Sequence, residues 1–225
     1  RLIKESHDVS VLNKKGTAPK GASKLKFNRN KKEDYNYIHF HSYDCIIDMS
    51  LSKLEQFNLI KDLISPNTNY IFVSDGSVDF IHTEDSNIFG DEVVEKMKIE
   101  RALSQTNLNY KIIRPSCVVG LGNHKPKLGY YISQLKNKKT ISVDGDGNYP
   151  INLVFADDVV ECLVRLSHDM SRTYKTYTVA GDKSITINEL IDFLKSKLKI
   201  KKHEVKDTKD SLFLNQSFEF NNTKI

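Results

Sequence analysis

The sequence predicts an α/β fold, a doubly wound parallel sheet of the Rossmann-like kind with a small C-terminal substrate-side lobe. Short apolar runs typical of buried parallel strands alternate with segments whose apolar residues recur at helical spacing. The most informative run, 107–120, passes from a polar turn through an apolar stretch to Arg114-Pro115. Because proline cannot donate to a strand ladder, we expect the backbone to leave the sheet there. Ligands of open parallel sheets bind beyond this end of the strands.

The first half of the chain contains most of the expected sheet. Strands are predicted at 9–12, 44–48, 70–73 and 110–113, with a possible short strand at 25–27 inside a lysine-rich polar segment. Helices are predicted before Ser65-Pro66, where proline stops the pattern, and at 91–105. We therefore interpret residues 1–120 as a Rossmann-like nucleotide-binding region.

Beyond Gly120 the elements are shorter. We expect a helix at 130–135, extended segments at 140–143, 151–155 and 177–180, and a turn cluster at 144–147. Asp157 and Asp158 are suited to begin one helix, and Thr186 with Glu189 forms a capping-box pattern before another. We therefore interpret residues 121–225 as a mixed region. Some of its strands and helices return to the core, and the rest form the substrate-side lobe.

The amino-acid composition limits the ligands that the protein is expected to bind and the cellular compartment in which it is expected to reside. The net charge of +5 favours phosphorylated cofactors, nucleotides or RNA without selecting among them. The three cysteines are odd in number and lack metal-ligand spacing, which indicates reduced thiols and a cytoplasmic protein. No apolar run could span a bilayer, so no membrane association is expected. His39 and His41 form the one suggestive metal pair, but they have no neighbouring His/Cys cluster, and we expect no metal site. A targeting segment before Arg1 stays an alternative.

Run 107–120 resembles the RPxxVxG segment of the NAD(P)-dependent epimerases and dehydratases of the extended short-chain dehydrogenase/reductase superfamily. The helix that begins at Asp157 and the capped helix at Thr186 also have counterparts in that family. The resemblance covers nearly the whole chain, including 220–225, which resembles a shortened family tail. It implies an NADP or NAD cofactor and a nucleotide sugar or related carbonyl compound as substrate.

The resemblance assigns the cofactor contacts to individual positions. The superfamily's GxxGxxG turn, whose amides hold the pyrophosphate, is absent, and the first residues match the part that follows it. We favour a fragment of a longer chain over a lost site. Asn13, Lys14 and Lys15 stand where the adenosine ribose is read, without a carboxylate, which favours NADP; the alternative is a solvated turn. Asn28 replaces the aspartate that reads adenine. The remaining expected cofactor contacts are Ser50, Ser74, Lys96, Pro115 and Ser116.

The catalytic motif departs from the family pattern. Asp75 stands where a catalytic hydroxyl is usual, and Ser74 or Ser77 could substitute for it. Lys96 occupies the lysine position, but Glu92 stands four residues before it in place of tyrosine, and Phe89 of a displaced "Tyr-Gly" has no hydroxyl. We assign Asp75, Ser77 and Lys96 as candidate catalytic residues. The alternatives are that Asp75 caps a turn and that Lys96 joins Glu92 and Glu100 in a solvated salt-bridge ladder.

Three functional interpretations follow. The first is an NAD(P)-binding epimerase/dehydratase-like protein with a degraded catalytic motif. The second is a non-catalytic relative that binds RNA or a protein, supported by the lysine-rich segment 20–32 and the aromatic residues after it, Tyr35, Tyr37, Phe40 and Tyr43. The alternative, which we favour for this segment, is a solvated loop packed by these aromatic residues. The third is a non-functional fragment.

Overall fold

The computed structural model describes residues 1–81, 90–122, 127–173, 175–201 and 204–208, and these form two compact units. Unit 1 comprises Arg1–Ile113 and Glu161–Thr176; unit 2 comprises Arg114–Val160 and Tyr177–Ile225. The division of the chain at residue 120 stays a prediction. Phe89 and residues 220–225 lie outside the described residues.

Twelve strands and five α-helices can be assigned within these ranges. The strands are β1 (Ser10–Asn13), β2 (Ser23–Lys26), β3 (Cys45–Asp48), β4 (Asn69–Val73), β5 (Asn109–Pro115), β6 (Cys117–Val119), β7 (Ile141–Val143), β8 (Pro150–Ile151), β9 (Leu153–Phe155), β10 (Thr176–Val179), β11 (Ile185–Thr186) and β12 (Val205–Asp207). The helices are α1 (Leu54–Ile60), α2 (Asp91–Ser104), α3 (Lys127–Lys136), α4 (Ala156–His168) and α5 (Ile187–Leu198).

The parallel sheet that the sequence predicts is present. Its strand order is β10-β5-β4-β3, and Ile71 of β4 lies opposite Ile47 of β3 and Lys111 of β5. Residues 69–72 and 109–113 are buried at both alternating sets of positions, as expected for strands covered on both faces. In unit 1, α1 packs against α2. Strands β1 and β2 form a separate parallel pair. The α/β prediction is confirmed.

The strand before Arg114-Pro115 is longer than expected. Its pairing with β4 ends at Ile113, yet β5 continues to Pro115. A proline at a strand end needs no ladder partner for its nitrogen, so the strand can include Pro115 after separating from β4. The prediction that the backbone leaves the sheet at Pro115 is therefore correct in that β5 no longer pairs with β4 there. It is wrong about the length of the strand, which includes Pro115.

The described part of unit 2 contains three small strand pairs and a helical core. β6 pairs with β9 and β7 with β12 in parallel, and β8 pairs with β11 in antiparallel fashion. The predicted strand at 151–155 is therefore two strands, separated by Asn152. Tyr131 and Ile187 are completely buried in the cluster between α3 and α5.

The capping box that begins α5 is present as predicted. The Thr186 hydroxyl accepts a hydrogen bond from the Glu189 amide at 3.1 Å, and the Glu189 carboxylate accepts one from the Thr186 amide at 2.7 Å. Two N–H groups that helix geometry leaves without partners are satisfied in this way. Among the described residues, no helix has the length and apolarity needed to cross a membrane.

Candidate nucleotide site

A cavity of about 360 Å³ lies in unit 1, where β1, β2 and β3 end. Asn13 and Lys14 line it from the end of β1, Arg29 from the loop after β2, Ser50 from the loop after β3, and Gln56 from α1. The carboxyl ends of parallel strands are the usual ligand side of such sheets. Three residues predicted to contact the cofactor, Asn13, Lys14 and Ser50, are thus brought to one cavity; their roles stay predictions.

The Asn13 side chain orders the turn after β1. Its Oδ1 accepts hydrogen bonds from the amides of Lys15 (3.0 Å) and Thr17 (3.2 Å), and its Nδ2 donates to the Thr17 carbonyl at 2.7 Å. Asparagine side chains commonly form such local turns. The amide is engaged by its own loop, whereas the neighbouring Lys14 is exposed at the cavity. Lys14 is therefore the better placed of the two to meet a phosphate.

Asn28 has a local role, and its two successors line the cavity. The Asn28 Oδ1 accepts from the Asn30 amide at 3.2 Å, and the Asn28 amide donates to Asp34 Oδ2 at 2.7 Å. Arg29 and Asn30, rather than Asn28, line the cavity. The residue predicted to read adenine thus shapes the loop that presents Arg29.

Asp48, at the end of β3, organises the wall of the cavity. Its carboxylate accepts two hydrogen bonds from the Arg29 guanidinium, at 2.6 and 3.0 Å, and one from the Tyr70 hydroxyl at 3.0 Å. The amides of Ser50 and Leu51 donate to its Oδ1 at 3.3 and 3.1 Å. The Asp48 side chain is 2% exposed, so this ion pair is nearly removed from water. Sequence reasoning missed Asp48, whose only signal was an acid that ends an apolar strand.

Burial changes the acidity of the two tyrosines near this carboxylate. Burial raises the pKa of Tyr70 well above its ordinary value, and the charge of Asp48 and the hydrogen bond to it raise it further. Burial also raises the pKa of Tyr35, with Arg29 acting in the opposite direction. The Tyr35 hydroxyl donates to the Arg29 carbonyl at 2.9 Å. Both phenols are therefore neutral structural donors around the cavity wall.

Gln56 links the two loops that border the cavity. Its Nε2 donates to Asn30 Oδ1 at 2.8 Å, and its Oε1 accepts from the Ser52 amide at 3.2 Å. A glutamine with both ends engaged holds the loops after β2 and β3 at a fixed separation. This residue also escaped the sequence-based prediction, because its spacing on α1 is that of an ordinary helix position.

Lys96 is buried, with 7% of its surface exposed. Its ammonium donates to the Val73 carbonyl at 2.8 Å and lies 4.9 Å from the centroid of the Phe72 ring. Burial lowers the pKa of Lys96, and the charges of Asp48, Glu92 and Asp75 partly offset this. The solvated-ladder alternative is wrong, because Glu100 is buried as well and only Glu92 is exposed.

Asp75 caps the turn after β4, the alternative that the sequence left open. Its carboxylate accepts a hydrogen bond from the Ser77 amide at 2.8 Å at the start of the short helix Gly76–Phe80. Ser74 is buried, and its hydroxyl donates to the Glu100 carboxylate. Asp75, Ser77 and Lys96 all lie in unit 1 near the end of β4; their catalytic roles stay predictions.

Pro115 and Ser116 belong to unit 2. The Ser116 hydroxyl donates to Asn152 Oδ1 at 3.0 Å, and the same oxygen accepts from the Gly181 amide at 2.7 Å. The Asn152 Nδ2 donates to the Gly181 carbonyl at 2.9 Å. A Cβ at Gly181 would approach the Leu153 carbonyl oxygen to 2.3 Å, so only glycine permits this packing. Ser116 thus contributes to a buried network whose members are satisfied within the unit.

The aromatic residues after the lysine-rich segment divide into two groups. Tyr35 and Phe40 are buried beside Phe27, with ring centroids 5.0 and 5.9 Å from it. Tyr37, in contrast, is 78% exposed, and Tyr43 is half-buried. Packing therefore accounts for Tyr35 and Phe40, which cannot stack on a nucleic acid base in this structure. Tyr37 remains available for stacking.

Comparison with protein families identifies a segment that contains most of α2 and all of β5 and α4. Residues 93–180 match the NAD dependent epimerase/dehydratase family. The resemblance drawn from run 107–120 is confirmed, because that run lies inside the matched segment.

Solved structures of epimerases and dehydratases share the fold. A UDP-glucose 4-epimerase from Thermotoga maritima with UDP-glucose is 15% identical, with a TM-score of 0.73 over 96% of this chain and 84% of that one. The enzyme WbmH from Bordetella bronchiseptica with NAD+ is 14% identical, with a TM-score of 0.76 over 99% and 84%. A dTDP-glucose 4,6-dehydratase from Bacillus anthracis with NAD is also 14% identical, with a TM-score of 0.75 over 98% and 81%.

A relative of a different kind matches in sequence. The chain is 20% identical over 214 residues to a chloroplast stem-loop binding protein of 41 kDa b from Arabidopsis thaliana. That match covers 84% of this chain and 56% of the relative, so the chain spans about half the length of this curated relative.

Proposed function

We propose that this chain binds the adenosine half of an NAD(P) cofactor in the cavity beyond β1, β2 and β3, as an epimerase/dehydratase-like protein with altered catalytic residues. The observation that carries the proposal is the convergence of Asn13, Lys14 and Ser50 on this cavity. Its volume of about 360 Å³ falls within the roughly 300–1,000 Å³ usual for small-molecule sites. NAD complexes of proteins with the same fold support it. The substrate would be a nucleotide sugar or related carbonyl compound.

The residues at the cavity favour NADP over NAD. Lys14 and Lys15 are exposed after β1, and neither position offers the carboxylate that would bind both hydroxyls of an unphosphorylated ribose. A 2′-phosphate would gain a charge-assisted hydrogen bond from Lys14. Such a bond contributes about 1.5–3 kcal/mol, which corresponds to roughly 10- to 100-fold in affinity.

The cofactor test is calorimetric titration of the full-length protein with NADPH and NADH. We expect tighter binding of NADPH, and a loss of that preference in a Lys14→Ala/Lys15→Ala variant. Lys32→Ala is the matched control, since Lys32 is exposed but does not line the cavity. Equal affinities in the wild type, or a preference for NADH that the double variant leaves unchanged, would refute the proposal.

The chemistry would be weak or would not follow the Tyr–Lys mechanism. Lys96 already donates a hydrogen bond to the Val73 carbonyl. Four residues before it, where the Tyr–Lys mechanism needs a tyrosine hydroxyl, the chain has Glu92. When bound, the cofactor would supply hydride transfer; Lys96 would hold its ribose, and Asp75 or Ser77 would have to move the proton. General acid–base catalysis typically contributes about 100- to 10,000-fold to the rate. Turnover should therefore be lower by that factor than in an enzyme with an intact Tyr–Lys pair, while cofactor binding persists. Turnover that survives Asp75→Ala and Ser77→Ala, yet disappears on replacing a nearby tyrosine with phenylalanine, would contradict this.

RNA binding is the second candidate, favoured by the match to the Arabidopsis stem-loop binding protein. Two basic surfaces could contact phosphates. In unit 1, Lys24 and Lys26 are exposed on β2. In unit 2, a cleft beside the ends of α3 and α5 is lined by exposed lysines; these are Lys136, Lys138, Lys199 and Lys201. Each phosphate that a lysine neutralises releases counterions, which makes such binding strongly salt-dependent.

Titration with a stem-loop RNA at several salt concentrations separates the two candidates. If RNA is the ligand, Lys136→Glu/Lys138→Glu or Lys24→Glu/Lys26→Glu should weaken binding and lower its salt dependence, with NADPH binding unchanged. Lys98→Glu is the control, because Lys98 pairs with Glu95 on α2 and lies on neither surface. No RNA binding at low salt would exclude this candidate and leave the cofactor proposal standing.

A further inference from the structure

Three metal-ligating side chains converge on the surface of unit 1, and none of them lines the cavity described above. They are Glu5, His7 and His168, and one ligand atom from each lies within 4.8 Å of the others. His168 Nε2 is 3.4 Å from Glu5 Oε2, and His7 Nε2 is 4.0 Å from the same oxygen. Glu5 and His168 are 163 positions apart in the chain, so only folding brings the three together.

The backbone holds this group in place from both sides. Glu5 is the last residue of the helical turn Leu2–Glu5, and the amide of His7 closes that turn on the Leu2 carbonyl at 3.1 Å. His168 is the last residue of α4, whose end is fixed by the Asn69 Nδ2 donating to the Leu166 carbonyl at 2.7 Å. A metal would therefore meet ligands whose backbone positions are already set.

The geometry points to a Zn²⁺ site made by His7, His168 and Glu5, and we propose that this site binds one zinc ion per chain. Tetrahedral zinc with ligands at about 2.0–2.2 Å requires neighbouring ligand atoms roughly 3.3–3.6 Å apart. One pair already meets this separation, and small rotations of the exposed side chains would bring the third atom within it. Two imidazoles and one carboxylate, with a fourth position open to water, form a common zinc ligand set.

The competing explanation is an ion pair without a metal. In that case Glu5 contacts His168 and His7 directly, with no ion between them. Added zinc would then change neither the melting temperature nor the absorption of added Co²⁺.

Bound zinc would tie the start of the described chain to the end of α4. Because the ion binds only the folded arrangement, zinc should stabilise unit 1 in proportion to its concentration relative to the dissociation constant. This role is separate from cofactor or RNA binding. The site therefore needs no turnover assay to be tested.

The experiment is calorimetric titration of tag-free, chelator-treated protein with ZnSO₄ at pH 7.5, with Co²⁺ absorption as a direct report of coordination. We expect one zinc ion per chain, a zinc-dependent rise in the melting temperature and Co²⁺ absorption typical of bound metal. His7→Ala and His168→Ala should each abolish all three signals. Glu5→Gln should weaken binding at least about tenfold, by analogy with the effect of removing supporting groups at metal sites. His41→Ala is the matched control, since His41 is exposed and outside the group.

Two results would overturn the proposal. One is the absence of zinc binding at pH 7.5 in a protein whose circular dichroism matches the folded form. The other is zinc binding that His168→Ala leaves unchanged, which would place the ion elsewhere. Glu5→Gln keeps the volume of an exposed side chain, so it remains informative even if a histidine variant proves unstable.

Discussion

Replacing Asp48 with asparagine tests the buried ion pair beside the cavity. Asp48 Oδ2 accepts from one Arg29 nitrogen and from the Tyr70 hydroxyl, and Oδ1 accepts from the other Arg29 nitrogen and from two backbone amides. The NH₂ group of the new asparagine replaces either Oδ1 or Oδ2. In either orientation it meets an Arg29 N–H and at least one other donor that Asp48 accepted from. The variant therefore loses the charge and cannot recover the bonds by flipping.

The expected loss of stability is large. The Arg29 side chain is 16% exposed, so removing its partner leaves a nearly buried cation uncompensated. Breaking such a pair from one side typically costs about 3–5 kcal/mol. For a chain of this size, each 1 kcal/mol lowers the melting temperature by about 2–4 °C, so we expect a fall of roughly 6–20 °C.

Urea unfolding followed by far-ultraviolet circular dichroism measures this, since the chain has no tryptophan to serve as a probe. Asp34→Asn is the matched control, because Asp34 accepts the Asn28 amide in the same loop and should cost only about 1 kcal/mol. An Arg29→Met/Asp48→Leu double variant should be less destabilised than Asp48→Asn, because it leaves no unpaired charge. An Asp48→Asn variant within 1 kcal/mol of the wild type would refute the buried-pair argument.

Three further predictions concern groups elsewhere in the described chain. Burial raises the pKa of the Cys45 and Cys162 thiols from 9.0 to about 11. In a Cys117→Ser variant, both thiols should therefore react with a disulfide reagent at pH 8 about 100-fold more slowly than a free thiol. Equal rates would mean that these thiols are solvated. Burial lowers the pKa of Lys111 from 10.5, so the folded state binds fewer protons than the unfolded state between the two values. The wild type should therefore gain stability relative to Lys111→Met as the pH rises towards 10.5, and urea midpoints that shift in parallel would contradict this. Thr186→Ala should lower stability by about 1 kcal/mol through loss of the capping bond to Glu189, measured in urea with the exposed Ser196→Ala as control.

The sequence determined which segments form strands and helices, and where the chain departs from the pattern of the family that it resembles. The apolar runs at 70–73 and 110–113 specify buried strands, because a strand covered on both faces needs apolar residues at successive positions. The Thr186 capping box is equally local, since its two bonds join residues three apart. The absence of a tyrosine four residues before Lys96 could be read directly from the sequence.

Only the tertiary structure decided which of these residues meet. Arg29 and Asp48 are separated by 19 positions, and nothing in the local pattern of either strand predicts their pairing. Lys96 has the spacing of a solvated ladder, yet the packing of α2 beside β4 buries it against the Val73 carbonyl. Glu5 and His168 meet only because α4 returns to unit 1. Local patterns record the polarity that each position needs, whereas contacts between distant segments depend on how the intervening loops fold, and no periodicity encodes that.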